Sequence, residues 1–180
     1  MIDEILQYNK AFVEDKGYSK FIANKYPEKK LAIVSCMDTR LTELLPAALG
    51  LKNGDAKFIK NAGAIITHPF GSVMRSLLIG IYELGIQEIL VIGHTDCGAR
   101  FTSSHKMIEK MKARGIQERN IDMIKYYGID FEQWLGGFTD LEQSIKKSVE
   151  MIRRHPLVQE EIQIHGLIID SVTGELTRVI

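Results

Sequence analysis

Two short, nearly unbroken apolar runs, Leu31-Ala-Ile-Val-Ser35 and Ile89-Leu-Val-Ile92, constrain the fold of this chain most. A strand with one wet face alternates apolar and polar residues, whereas a run without alternation needs cover on both faces. Parallel sheets flanked by helices provide that cover, so the segments between such runs are expected to be helical. Ser72 is placed to cap a helix across Val73–Leu84, which Gly85 would end. The strand Glu88–Ile92 follows directly.

The rest of the chain fits the same plan. Ile2, Ile5, Leu6, Asn9, Phe12 and Val13 recur at helical spacing, and Pro27 with Glu28-Lys-Lys30 closes that segment. Residues 1–26 therefore read as an N-terminal helical arm. Thr42–Leu49 reads as a short helical turn before Gly50, and Asn53-Gly54-Asp55 as a turn into a strand at Ala56–Lys60. Helices are expected at Ser104–Ala113 and Asn120–Tyr127, with breaks at Gly115, Gly128 and Gly136-Gly137. A last helix spans about Asp140 to Arg154, with Asp140 as its N-cap. Glu161–Asp170, the turn Thr173-Gly174 and Glu175–Ile180 form a closing antiparallel pair. The expected fold is a three-layer α/β/α domain over residues 1–180. Its mostly parallel sheet has about five strands, with one antiparallel edge strand at the C-terminus and right-handed crossovers.

Charge narrows the partners. Lys+Arg and Asp+Glu both total 23, and nucleic-acid binding would call for a basic excess. The N-terminus Met1-Ile-Asp-Glu lacks the layout of a signal peptide, and no apolar run approaches the ~20 residues of a membrane span. A cytoplasmic protein with neither nucleic acid nor membrane as partner is the expectation. In a reducing compartment a lone pair of cysteines points to metal binding or reactivity rather than a disulfide.

Those two cysteines fall at strand ends. Cys36 follows the first apolar run and opens Cys36-Met-Asp38-Thr-Arg40; Cys97 closes His94-Thr-Asp-Cys97-Gly98 after the other. Sites in open α/β sheets form beyond the carboxyl ends of strands. Alone, such a cysteine reads as a small buried hydrophobe and such a histidine as a hydrogen-bonded loop residue. Together, two thiolates and an imidazole make a three-ligand zinc site with an open fourth position, the arrangement of catalytic rather than structural zinc. Asp38 and Arg40 read either as a surface ion pair or as an arginine-held carboxylate that accepts a hydrogen bond from the zinc-bound hydroxide. Without Arg40, Asp38 could swing onto the metal and close the site.

These motifs resemble the signature of the β-class carbonic anhydrases. Lys60-Asn61-Ala62-Gly63, Arg75-Ser76-Leu77 and the closing strand pair around Thr173-Gly174 extend the likeness from about Leu31 to the end, nearest to the short bacterial members. The resemblance implies Cys36, His94 and Cys97 as ligands of one Zn2+ per subunit, and Asp38 with Arg40 as the catalytic dyad. The implied activity is that of a zinc lyase, carbonate dehydratase: reversible hydration of carbon dioxide to bicarbonate and a proton by attack of zinc-bound hydroxide. It further implies a homodimer or higher homo-oligomer in which the N-terminal helix packs on its partner. Hydrolysis of carbonyl sulfide or carbon disulfide on the same zinc is the nearest alternative, and a silent zinc-binding sensor or interaction protein is one of another class. A dithiol redox protein is disfavoured because Cys-x-x-Cys is absent. His68 is a candidate for the site entrance or a proton shuttle. Arg100 reads as a solvated helix charge, with an anion contact as its alternative; His105, His155 and His165 read as surface or strand residues.

Overall fold

The computed structural model describes residues 1–180. Its sheet has five strands: β1 (Leu31–Cys36), β2 (Ala56–Asn61), β3 (Glu88–His94), β4 (Gln163–Ile169) and β5 (Leu176–Arg178). They lie in the order β2-β1-β3-β4-β5, parallel throughout except for the antiparallel β4–β5 pair at one edge. Seven helices surround it: α1 (Ile2–Glu14), α2 (Leu41–Ala48), α3 (Ser72–Leu84), α4 (Ser104–Ala113), α5 (Glu118–Tyr126), α6 (Phe131–Leu135) and α7 (Leu141–Arg153). No helix is long and apolar enough to cross a membrane.

Unbroken apolar character in β1 has the predicted cause, since all six of its residues are buried. Alternate side chains serve opposite layers. Ala32 and Val34 join Met74 and Leu77 of α3 and Ile145, Val149 and Ile152 of α7, whereas Leu31 and Ile33 join Leu41 and Leu45 of α2. Each fully buried Ile or Leu contributes roughly 1.5–3 kcal/mol, so β1 anchors both layers. The register sets Ser35 beside Ile92, leaving Cys36 and His94 at neighbouring carboxyl ends.

Several local expectations shift. Asp140 caps α7 as expected, accepting from the Gln143 N–H at 3.0 Å. Ser72 does not cap α3. Gly71 takes that position and Ser72 is the first helical residue, its carbonyl accepting from Ser76 Oγ. Helix α5 begins at Glu118 rather than Asn120, and α6 appears where only glycine breaks were expected. Asp130 explains that short helix, since its side chain accepts from the N–H groups of Glu132 and Gln133. The return strand is confined to Leu176–Arg178. Helix α1 has no buried residue, leaving Ile2, Ile5, Leu6 and Val13 exposed.

Candidate metal centre

Strand β1 delivers Cys36, β3 delivers His94, and the turn after β3 returns Cys97 to the same spot. The turn is tight: Asp96 adopts φ +52°. All three side chains are buried, and their ligand atoms lie within 4.8 Å of one another. The two Sγ atoms are 3.8 Å apart. Two thiolates bound at about 2.3 Å with a tetrahedral angle between them would be separated by about 3.8 Å, so the sulfur spacing fits zinc. His94 supplies a second test. Its Nδ1 is 2.8 Å from the Thr95 carbonyl, which fixes the proton there and leaves the Nε2 lone pair free. That Nε2 is buried without a hydrogen-bond partner. A buried polar atom left unpaired is costly, and a metal would satisfy it.

The electrostatics differ between the two thiols. Burial pushes Cys36 upward, but the adjacent His94 ring and the N–H groups of Gly63 and Asp38 outweigh it and bring the thiol down to about 7. Gly63 N lies 3.3 Å from Cys36 Sγ. Burial raises Cys97 to about 11, and the neighbouring Cys36 charge adds to the rise. For His94, burial favours the neutral ring, yet Cys36 and Asp38 raise its proton affinity above the ordinary value.

Arg40 holds the other half of the site. Its Nε donates to Asp38 Oδ1 at 3.0 Å and its Nη2 to Oδ2 at 2.9 Å. The same guanidinium reaches across to Asp96, with Nη1 2.9 Å from Oδ2 and Nη2 2.8 Å from the backbone carbonyl. Arg40 therefore ties the loop after β1 to the loop after β3. Its hydrogen bonds hold Asp38 well below the usual carboxylate range, and Asp38 with Asp96 raises Arg40 further. Asp38 Oδ2 lies 3.8 Å from His94 Nε2, so an ionised carboxylate overlooks the three ligand atoms.

All five residues singled out by sequence thus converge. Asp96 was not singled out; its signal was a carboxylate inside the His94–Cys97 loop with an arginine two residues past Asp38. A cavity of about 550 Å³ opens over the cluster, lined by Cys36, Asp38, Asn61, Ile65, Met107, Trp134 and Leu135 among others. A second cavity, of about 630 Å³, adjoins it at Ile65, Thr67, Thr102, Gly136 and Gly137.

Of the other candidates, His68 lines a third cavity of about 180 Å³ that shares Thr67 and Trp134 with the cavity over the cluster, and its Nδ1 accepts from the Phe70 N–H. Arg100 is not on a helix. It bridges to Phe138 and sits 4.8 Å above the Phe101 ring. His155 is buried rather than on the surface, its Nδ1 accepting from the Leu157 N–H. His105 is exposed on α4, and His165 on β4 faces Glu88 at 3.5 Å.

Comparison with known proteins gives consistent matches. The family model described as carbonic anhydrase matches residues 31–176. YtiB of Bacillus subtilis, named as a candidate carbonic anhydrase, is 53% identical over 180 residues, covering 100% of this chain and 96% of its own. A carbon disulfide hydrolase of Acidithiobacillus thiooxidans is 30% identical, covering 82% of this chain and 76% of its own. The crystal structure of β-carbonic anhydrase isoform I of Trichomonas vaginalis superposes with a TM-score of 0.90 at 38% identity, covering 100% of this chain and 97% of that one.

Proposed function

This chain belongs to the β-class carbonic anhydrases, and on that premise we propose that it catalyses reversible hydration of carbon dioxide to bicarbonate and a proton. Cys36, His94 and Cys97 hold Zn2+ in this reading, and Asp38 with Arg40 forms the catalytic pair. The observation that carries it is the 3.8 Å sulfur spacing beside an unpaired, buried His94 Nε2. Zinc bound there would act as a Lewis acid that lowers the pKa of water into the neutral range.

The protein's own residues do the rest. Asp38 Oδ2, kept ionised by Arg40, can only accept hydrogen bonds. It therefore takes the O–H of the attacking water and turns a lone pair toward the substrate carbon. Arg40 keeps that carboxylate at orienting distance and stops it from collapsing onto the ligand cluster. Ile65, Met107, Trp134 and Leu135 give the cavity an apolar wall suited to an uncharged linear substrate.

The likeness to a carbon disulfide hydrolase supports one second reading, hydrolysis of carbon disulfide or carbonyl sulfide on the same cluster. The exposed apolar face of α1 supports a homodimer or larger homo-oligomer, with residues 1–26 as the arm that grips a second copy. Two reduced thiol ligands suit the cytoplasm. Bound zinc, carbon dioxide hydration and carbonyl sulfide hydrolysis, compared between the native chain and Asp38→Asn, test the assignment. Hydration that requires both zinc and Asp38 is the expected result. Zinc binding with turnover of neither substrate over a wide pH range would overturn the enzyme assignment, and strong sulfide hydrolysis with feeble hydration would move it to the second reading.

A further inference from the structure

Thr95, the residue after β3, is held from three sides. Its N–H donates to the Ile169 carbonyl at 3.1 Å. Its Oγ1 accepts from the Ser171 N–H at 2.9 Å and lies 3.2 Å from both Asp170 Oδ2 and Ser171 Oγ. Its own carbonyl accepts a hydrogen bond from the His94 Nδ1–H. Asp170 is itself anchored, its other oxygen accepting from the N–H groups of Val172 and Thr173 and from Thr173 Oγ1 at 2.8–3.0 Å. The two oxygens divide their work: Oδ1 closes the β4–β5 turn and Oδ2 reaches Thr95.

We infer that Thr95, anchored by Asp170 and Ser171, is a positioning residue for the metal centre and acts through His94. The inference rests on the reading of Cys36, His94 and Cys97 as zinc ligands. A ligating imidazole must present a lone pair on one nitrogen, and the acceptor at the other nitrogen decides which. Here that acceptor is a backbone carbonyl, so its direction depends on how the Thr95 peptide plane is fixed. The Ile169 bond holds one edge of this residue and the Thr95 hydroxyl holds the side chain. With the hydroxyl lost, the plane can turn away, and the imidazole can move its proton to Nε2. The proton would then stand where the metal bond belongs. The closing hairpin is thereby part of the ligand's support, and not only an edge of the sheet.

Thr95→Val keeps the shape and removes the hydroxyl; Thr95→Ser keeps the hydroxyl and removes a methyl. Each metal-free protein is titrated with zinc against a chromophoric chelator, and the visible spectrum of its Co2+ form is recorded beside its thermal unfolding. The valine variant is expected to bind zinc about 10–100-fold more weakly with an altered Co2+ spectrum, and the serine variant to match the native chain. Native zinc affinity and an unchanged Co2+ spectrum in Thr95→Val would overturn the inference while leaving the ligand set intact. Equal losses in both variants would also overturn it. A native chain that binds no zinc would bring down the ligand reading together with the inference. Should Thr95→Val not fold, Asp170→Ala removes the anchor from outside the metal loop and is judged by the same two measurements.

Discussion

Replacing Gly63 with alanine tests whether the ligand cluster depends on the backbone beneath it. Gly63 has φ +77°, and its N–H donates to Cys36 Sγ at 3.3 Å. An added Cβ would lie 2.9 Å from Ala99 Cβ and 3.0 Å from Ile65 Cδ1. A left-handed conformation costs an L-residue roughly 1–2 kcal/mol. Overpacking adds roughly 1–3 kcal/mol, because Ala99 Cβ cannot rotate aside and must carry the Cys97–Ala99 backbone with it. Gly50 supplies the control, with φ +64° and nothing within 4 Å of an added Cβ. Gly50→Ala therefore carries the conformational cost alone. At about 2–4 °C per kcal/mol for a chain of this size, Gly63→Ala should unfold about 2–12 °C below Gly50→Ala. Thermal unfolding of the two metal-free proteins, followed by circular dichroism, measures that difference. A zinc titration of each reports the second effect, weaker binding in Gly63→Ala only. Equal melting temperatures would refute the steric argument. Unchanged zinc affinity in a destabilised Gly63→Ala would refute the coupling of this backbone to Cys36.

Arg40→Met should free Asp38 to close onto the cluster, lowering hydration about 10–100-fold in a stopped-flow assay with zinc content unchanged. Arg40→Lys should not restore it, since a single ammonium cannot span both Asp38 oxygens and Asp96; full activity in either variant would take Arg40 out of the mechanism. In metal-free protein, iodoacetamide should alkylate Cys36 with a midpoint near its value of about 7 while Cys97, raised to about 11, stays largely unmodified. Equal labelling of both at about pH 8, read by peptide mass spectrometry, would contradict the assigned asymmetry. Removing zinc with a chelator should abolish hydration and expose the Cys36 thiol to a colorimetric thiol reagent, with zinc but not magnesium reversing both effects. Asp170 is held below its ordinary 3.8 by the N–H groups of Thr173 and Val172. Its stabilisation is therefore complete above that value and is lost as pH falls through the lower folded value. Metal-free Asp170→Asn should accordingly lose melting temperature less steeply than the native chain below about pH 4, and parallel slopes would argue against it.

What sequence alone reveals here follows from the range of each signal. Strands β1 and β3 were legible because burial on both faces leaves a continuous apolar run, a purely local mark. Cys36, His94 and Cys97 were legible as a group because each follows such a run, and neighbouring strands must end side by side. Helix α6 was not, since five residues are too few to display a 3.6-residue period. Ser72 misled because its preference for capping positions was met equally well by Gly71, whose extended backbone leads into the helix. Asp96 and Thr95 were invisible for a different reason: their partners, Arg40 and the 170–171 turn, are distant in sequence and meet them only through the sheet order. His68 and Arg100 depend on loop paths that no periodicity encodes.

The 3.8 Å separation of the Cys36 and Cys97 sulfurs is fixed by contacts among protein atoms: the Gly63 amide, the Thr95 carbonyl behind His94, and Arg40 between the two loops. Small zinc-finger peptides order themselves around their metal, so that binding and folding are one equilibrium. Contacts of this kind would put the centre in the opposite regime, in which little chain entropy remains to be lost when the ion arrives. Its binding should show almost no heat-capacity change, and chelation should leave a folded protein. Affinities for Co2+, Zn2+ and Cd2+ should then follow each ion's own preference for two sulfurs and a nitrogen rather than any difference in how far the chain must rearrange.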